Sequence, residues 1–254
     1  MLTIDHVSAA LVRMTIDKPP ANALTHDLIQ ALVDALVLFG EEADAPAVIL
    51  TGAGERFFSA GGDIREVATK PEAVVPRMRA FHRLLIALEG YRRPLVCAVN
   101  GYAVGGALEL VLHADYVVSS ESARFGFPEI NHGLLPAAKG MRHAMNRLGR
   151  RVAERLLYSG DLVSAQEAHA IGLVDEVVGP HELQDRARVQ AEKLRGKDMR
   201  LFSAIKRTFN DAAHMTDDEL EERTISDMKD YLNREEAAAA REQFLQRKAK
   251  PKHG

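Results

Sequence analysis

An α/β fold with a helical C-terminal region is what this sequence predicts, and three observations lead there. Short apolar runs at 47–51, 95–99 and 116–118 alternate with stretches of helical spacing, the pattern of parallel strands joined by helices. Beyond about Gly133 the strand signal fades and helical patterns take over. The chain has 254 residues, 46% hydrophobic and 27% charged. That length buries about three-quarters of the unfolded surface, as one large domain or a domain with an appendage.

The elements follow in order. At 11–17, apolar Val12, Met14 and Ile16 alternate with Arg13, Thr15 and Asp17, the period of a half-buried strand that Pro19-Pro20 ends. Leu24, Leu28, Leu32 and Leu36 recur every four residues and Thr25 can cap them, so a helix is predicted to about Phe39. The run Ala47-Val48-Ile49-Leu50-Thr51 suits a strand covered on both faces, as do Leu95-Val96-Cys97-Ala98-Val99 and Tyr116-Val117-Val118. Helices are predicted between them, at about 76–89 and 106–113. Further helices are expected at about 141–148, 152–157, 164–170, 183–194, 201–210, 217–232 and 234–247. Ser164-x-x-Glu167 and Thr216-x-x-Glu219 read as capping boxes. The basic residues 248–254 read as a frayed tail. A catalytic core over 1–195 and a helical region over 196–254 are the predicted division.

Composition excludes several function classes. Lys and Arg number 33 against 36 Asp and Glu, a net charge of -3, so no strong field favours nucleic acid or a membrane surface. The single Cys97 excludes an intramolecular disulfide and a cysteine-rich metal site. Met1-Leu2-Thr3-Ile4-Asp5-His6 lacks a basic, apolar leader, and no apolar run approaches ~20 residues, so a cytoplasmic protein is expected.

Chemistry concentrates around two carboxylates and two glycine pairs. Glu109 interrupts the apolar stretch Gly105-Gly106-Ala107-Leu108-Glu109-Leu110-Val111. Burial there raises a carboxyl pKa, the usual preparation for acid–base work. Taken alone, a wet helix face would explain it as well. Gly105-Gly106 begin that helix, where backbone N–H groups are free and side chains are absent. Ser59-Ala60-Gly61-Gly62-Asp63-Ile64 reads as a loop entering a second helix with Asp63 as cap, and offers another N–H donor; two such donors make an oxyanion hole. Glu129, in Phe125-Gly126-Phe127-Pro128-Glu129-Ile130, is the second acid in apolar company. Neither glycine stretch fits a dinucleotide or phosphate-loop motif. The set satisfies the requirements for proton transfer beside a carbonyl.

Together these residues resemble the crotonase, or enoyl-CoA hydratase/isomerase, family. The resemblance runs from Pro20-Ala21-Asn22-Ala23-Leu24 through the loop at 59–64, Asn100-Gly101-Tyr102-Ala103-Val104-Gly105-Gly106 and Glu109, to Phe125-Gly126-Phe127-Pro128-Glu129 and Gly133-Leu134-Leu135-Pro136; Gly160-Asp161, Ala165-Gln166-Glu167-Ala168 and Gly172-Leu173-Val174-Asp175 also fit. It implies a crotonase-like spiral of repeated β-β-α units, with C-terminal helices that build a homotrimer or a dimer of trimers. It implies an acyl-CoA thioester substrate and no separate cofactor or metal, because coenzyme A is part of the substrate. The N–H groups of Gly62 and Gly106 would hold the thioester oxygen. Ser59, Ala60, Gly61, Gly62, Asp63 and Ile64 would line the coenzyme A path together with Ala21, and Arg65 would stand near its phosphates. Glu109 and Glu129 match both catalytic glutamates of the hydratases, which add water across a 2-enoyl-CoA double bond; Glu109 is expected as base and Glu129 as the acid for Cα.

The chain departs from the family pattern at Pro136-Ala137-Ala138-Lys139-Gly140-Met141, where glycines are common, so the acyl pocket is expected to differ. His132 is read as a loop histidine. The rival reading within the family is a double-bond isomerase, which can work with one acid at the Glu129 position; Glu109 favours hydration or its reverse. A rival of another class is a non-catalytic RNA binder using Arg77, Arg79, Arg83, Arg92 and Arg93. A solvated helix face is the preferred reading of that cluster.

Overall fold

The apolar periods fold as two sheets wrapped by helices in a computed structural model that describes residues 1–42, 44–67, 71–235, 237–239, 241–242 and 245. β1 (Leu2–Ser8) pairs antiparallel with β2 (Leu11–Ile16), and α1 (His26–Glu41) follows, its first turn capped by the Thr25 side chain. Three strand–strand–helix turns come next. The first is β3 (Ala47–Gly52), β4 (Phe57–Ser59), then α2 (Ile64–Val67) and α3 (Pro71–Gly90). The second is β5 (Leu95–Val99), β6 (Tyr102–Val104) and α4 (Gly106–Val111). The third is β7 (Tyr116–Ser120), β8 (Arg124–Gly126), a 3-10 turn at Pro128–His132 and α5 (Ala138–Leu148). Then α6 (Arg150–Ser159), β9 (Val163–Ser164), α7 (Ala165–Ala170), β10 (Glu176–Val178) and α8 (Leu183–Arg195) complete the unit Met1–Lys197.

The first strand of each turn joins one sheet and the second joins another. The large sheet has the order β1-β2-β3-β5-β7-β10, the small one β4-β6-β8-β9. All pairings from β2 to β10 in the large sheet are parallel, as are those among β4, β6 and β8. This is the predicted spiral of β-β-α units.

The continuous apolar runs are explained by cover on both faces. Val48, Leu50, Leu95, Cys97 and Val99 point into the cluster that α1 and α3 close with Leu28, Leu32, Leu84 and Leu88. Ala47, Ile49, Val96, Ala98 and Val118 point the other way, against Leu183, Ala187 and Ala191 of α8. The alternation is that of a strand, and both sides happen to be interior. Cys97 belongs to the first cluster; burial pushes its thiol up to about 12, so it stays protonated and unreactive.

The unit Asp198–Gly254 holds α9 (Met199–Asp211), capped by Asp198, and α10 (Asp217–Leu232), which opens with the capping box at Thr216. Arg207 pairs with Asp227 and Arg223 with Asp211, tying the two helices together.

Several expectations are corrected. The region after Gly133 contains β9 and β10, strands of two and three residues that are too short to show a period. The helix expected at 76–89 begins at Pro71; Pro76 lies in its second turn. There proline removes only the bond to a first-turn carbonyl. The tail at 248–254 and much of the helix expected at 234–247 lie outside the described residues. Among the described residues no helix is long and apolar enough to cross a membrane.

Candidate active site

The small sheet gathers the chemistry. In its parallel register Phe57 lies beside Tyr102, Tyr102 beside Arg124, and Val104 beside Gly126. The segments leaving the carboxyl ends of β4, β6 and β8 therefore emerge side by side. They carry, respectively, Gly62, the pair Gly106 and Glu109, and Glu129. Parallel strands commonly place a site at such an edge. All four residues line one cavity of about 220 Å³.

The loop after β4 splits its residues between two environments. Ala60, Gly62 and Ile64 face the cavity, while Ser59, Gly61 and Asp63 turn inward. Ser59 has no exposed surface, and its hydroxyl accepts the Gly61 N–H at 3.1 Å. Asp63 accepts from the Arg65 backbone N–H at 3.0 Å and pairs with the Arg65 guanidinium at 2.8 Å. Ala21 stands behind the loop, its carbonyl accepting the Ala60 N–H at 2.9 Å. Of the residues expected along a ligand path, Ala60, Gly62 and Ile64 line this cavity, whereas Ser59, Gly61, Asp63 and Ala21 stand behind its wall. Arg65 remains 81% exposed beyond its tie to Asp63.

Two backbone donors meet here. The Gly61 N–H is bonded and the Asp63 N–H reaches the Leu24 carbonyl, whereas the Gly62 N–H between them has no acceptor among the described residues. Gly106 is the first residue of α4, so its N–H has no partner within that helix. The Gly61 backbone lies against this helix start closely enough that a Cβ on Gly61 would fall 3.0 Å from the Gly106 nitrogen.

The carboxylates are held differently. Glu109 is 1% exposed; its Oε1 accepts the Ala137 N–H at 3.1 Å, and its Oε2 is buried without a partner. Burial, opposed by the Ala137 bond and reinforced by the charge of Glu129, pushes Glu109 up to about 8. Glu129 sits in the 3-10 turn, its Oε2 also buried and unpartnered, and burial raises its pKa as well. Each acid rests on a glycine. A Cβ on Gly140 would lie 1.8 Å from Glu109 Oε2, and one on Gly105, whose φ is +57°, would lie 2.7 Å from Glu129 Oε1. Both acids line the cavity, and a buried oxygen left without a partner is one that a bound polar ligand or water can satisfy. Two carboxyls pushed upward beside backbone donors can hold one proton between them at neutral pH and move it to and from a bound molecule.

Three residues take on parts that the sequence reading did not give them. His132, read as a loop histidine, lines the cavity beside Leu134 and Leu135. Arg77, read as part of a solvated face, is 7% exposed and lines the cavity wall behind Gly62. Its burial also breaks up the basic cluster that the RNA-binding alternative needs. Lys139, in the stretch that departs from the family pattern, is buried in an ion pair with Glu89 of α3 and adjoins Gly140. The departure therefore serves the joint between α3 and α5 as well as the cavity.

Comparison with known proteins gives a consistent picture. Residues 6–253 match the family Enoyl-CoA hydratase/isomerase. The chain is similar to 2,3-dehydroadipyl-CoA hydratase of Escherichia coli, 38% identical over 165 residues that cover 65% of this chain and 64% of that protein. It is similar to the probable enoyl-CoA hydratase EchA17 of Mycobacterium tuberculosis, 34% identical over 204 residues, 80% of this chain and 78% of that one. Its structure resembles that of an enoyl-CoA hydratase from Bacillus anthracis with a TM-score of 0.90 at 28% identity, over 97% of this chain and 96% of the other.

Proposed function

The chain belongs to the enoyl-CoA hydratase/isomerase family, and from that premise we propose that it adds water reversibly across the 2,3 double bond of a 2-enoyl-CoA. The observation that carries this reading is that a buried and a half-buried carboxyl, each with one unpartnered buried oxygen, line one cavity with two backbone donors. The relatives it resembles are named as hydratases of acyl-CoA thioesters, which supports the same class of reaction.

In the proposed reaction the N–H groups of Gly62 and Gly106 receive the thioester oxygen. They stabilise the enolate that forms as water adds at C3; one such donor typically contributes about 2.7–4 kcal/mol. Glu109 as carboxylate takes a proton from the attacking water. Glu129 as acid delivers a proton to C2. The pair thus begins with its one proton on Glu129 and ends with it on Glu109. The strong upward shift of Glu109 favours the second arrangement in the empty site, which is the starting state for dehydration of a 3-hydroxyacyl-CoA. By microscopic reversibility the same two residues serve both directions, with Glu109 always handling the oxygen and Glu129 the carbon. Arg65, exposed at the loop, is assigned to the coenzyme A phosphates.

Assembly belongs to the same proposal. Among the described residues α9 buries only Lys206 and α10 buries none, while Ile205, Phe209, Ile225 and Met228 are exposed. An apolar surface of this kind suits contact with further copies of the chain, as a trimer or a dimer of trimers. Light scattering on the purified protein tests it, and a monomer would remove this part.

The deciding experiment mixes the protein with 2-enoyl-CoA esters of graded chain length and follows loss of the conjugated thioester absorbance. Hydration is expected, with product 3-hydroxyacyl-CoA. Conversion of a 3-enoyl-CoA with no hydration of any 2-enoyl ester would overturn the reading in favour of an isomerase.

A further inference from the structure

The guanidinium of Arg77 is buried on the cavity wall, yet the hydration scheme does not use it. It comes from α3, 53 residues from one of its partners and 15 from the loop it abuts. Nη2 donates to the Leu24 carbonyl at 2.8 Å. Leu24 in turn grips the loop on both sides of Gly62: its N–H donates to the Gly61 carbonyl at 2.8 Å, and its carbonyl is reached by the Asp63 N–H at 3.5 Å. Nη1 pairs with Glu66, which accepts the His26 N–H at 3.2 Å. A Cβ on Gly62 would lie 2.7 Å from Nη2, so the guanidinium occupies the space directly behind the Gly62 α-carbon.

We propose that Arg77 is the positioning residue of the Gly62 half of the oxyanion hole: by holding Leu24 and backing Gly62, its guanidinium fixes the direction of the Gly62 N–H and sets a positive charge behind it. The geometry favours arginine. A planar fork with several donors reaches two acceptors on different segments at once, whereas a lysine ammonium on the same stem is a single point. The carboxylates of Asp63 and Glu66 each offset part of the charge of this buried cation. Enolate charge appears only in the transition state, and a fixed positive group near it acts without reorganisation. Glu66 balances the charge on the other side of the guanidinium, farther along the chain from Gly62.

The proposal rests on the hydratase reading for its catalytic part, and the test separates the two. R77K and R77Q are compared with the wild-type protein by thermal melting, by steady-state hydration, and by binding a chromophoric 3-aryl-2-enoyl-CoA whose absorption moves to the red when its thioester carbonyl is polarised. The Gly62 and Gly106 amide resonances are followed in parallel in the empty protein. The expected result is a smaller red shift in both variants and a fall in kcat of tenfold or more, with KM changed less than about threefold. The Gly62 resonance moves and that of Gly106 stays. A purely structural role would lower the melting temperature without changing the red shift of the bound probe. Full wild-type red shift and kcat in both variants, or an unmoved Gly62 resonance, overturns the proposal. Absence of any red shift or hydration in the wild-type protein overturns the hydratase reading instead, and the Gly62 resonance still decides whether Arg77 positions that N–H. Should R77Q fail to fold, R77K carries the same comparison.

Discussion

Gly140→Ala is the sharpest perturbation that this site offers, because it adds one methyl group and touches a single functional side chain. The new Cβ would stand 1.8 Å from Glu109 Oε2, 2.3 Å from Cδ and 2.5 Å from Cγ, where ordinary contact begins at 3.4 Å, a shortfall of about 1.6 Å. Gly140 lies in α5, whose backbone is fixed by its own hydrogen bonds, so the carboxylate has to give way. Glu109 is buried and tied to the Ala137 N–H at 3.1 Å. Moving it strains or breaks that bond, and an unmade buried bond costs about 1–3 kcal/mol. A catalytic group displaced by an ångström or more loses about 10²-fold in rate. The expected result is a fall of about 10² in kcat/KM for 2-enoyl-CoA hydration, with a melting temperature lowered by only a few degrees. Spectrophotometric hydration assays and calorimetry on the same preparation check it. Wild-type kcat/KM in folded G140A would refute the claim that Glu109 is held in its working position by the absence of a side chain at residue 140.

Other outcomes follow from the same geometry. Glu109→Gln and Glu129→Gln should each lower kcat by about 10²–10⁴, the usual range for an acid–base group; full activity in either variant would remove that residue from the mechanism. Glu109→Gln should also stabilise the fold at high pH. The folded carboxyl titrates near 8 against 4.5 in the unfolded chain. The native state therefore keeps a proton that the unfolded chain releases, and stability declines as pH rises from about 4.5 to about 8. The variant lacks that decline, so its melting temperature should exceed that of the parent at pH 8 and converge with it near pH 4.5, as a pH series of melts would show. Gly105→Ala should depress activity too, since its positive φ is strained for alanine and the new Cβ would lie 2.7 Å from Glu129 Oε1. Lys139→Met should take from half-buried Glu89 the buried ammonium it pairs with, and destabilise the fold by about 3–5 kcal/mol. Chemical denaturation should show the double change E89L with K139M recovering much of that loss.

Much of this was legible in the sequence, and the reasons differ by residue. The main strands announced themselves because 47–52 and 95–99 lie between two layers, and the helix starts at Thr25, Ser164 and Thr216 because caps are local. Glu109 was visible because a charge interrupts an apolar helix. The three-residue strands of the small sheet carry no period of their own and came only with the family resemblance. Gly140 and Ala137 were invisible as partners of Glu109, since about 30 residues separate them and nothing local marks the contact. Arg77 left a signal that was misread. It shares a stripe with Phe81, Leu84 and Leu88, spaced four, seven and eleven residues on, and those three are buried. The phase of that stripe points Arg77 inward, while Arg79 and Arg83 fall outside it and are exposed.

The small sheet has one more consequence. Its strands β4, β6 and β8 are three residues long, too short to persist as isolated pairs. Each belongs to a different turn of the spiral, and each delivers a different part of the site. The site therefore exists only while three successive turns are stacked in register. Local opening of any one of them would separate donor from acid before the large sheet melts. Activity measured along a denaturant titration would then report the integrity of the stack, and would be lost ahead of the helical signal.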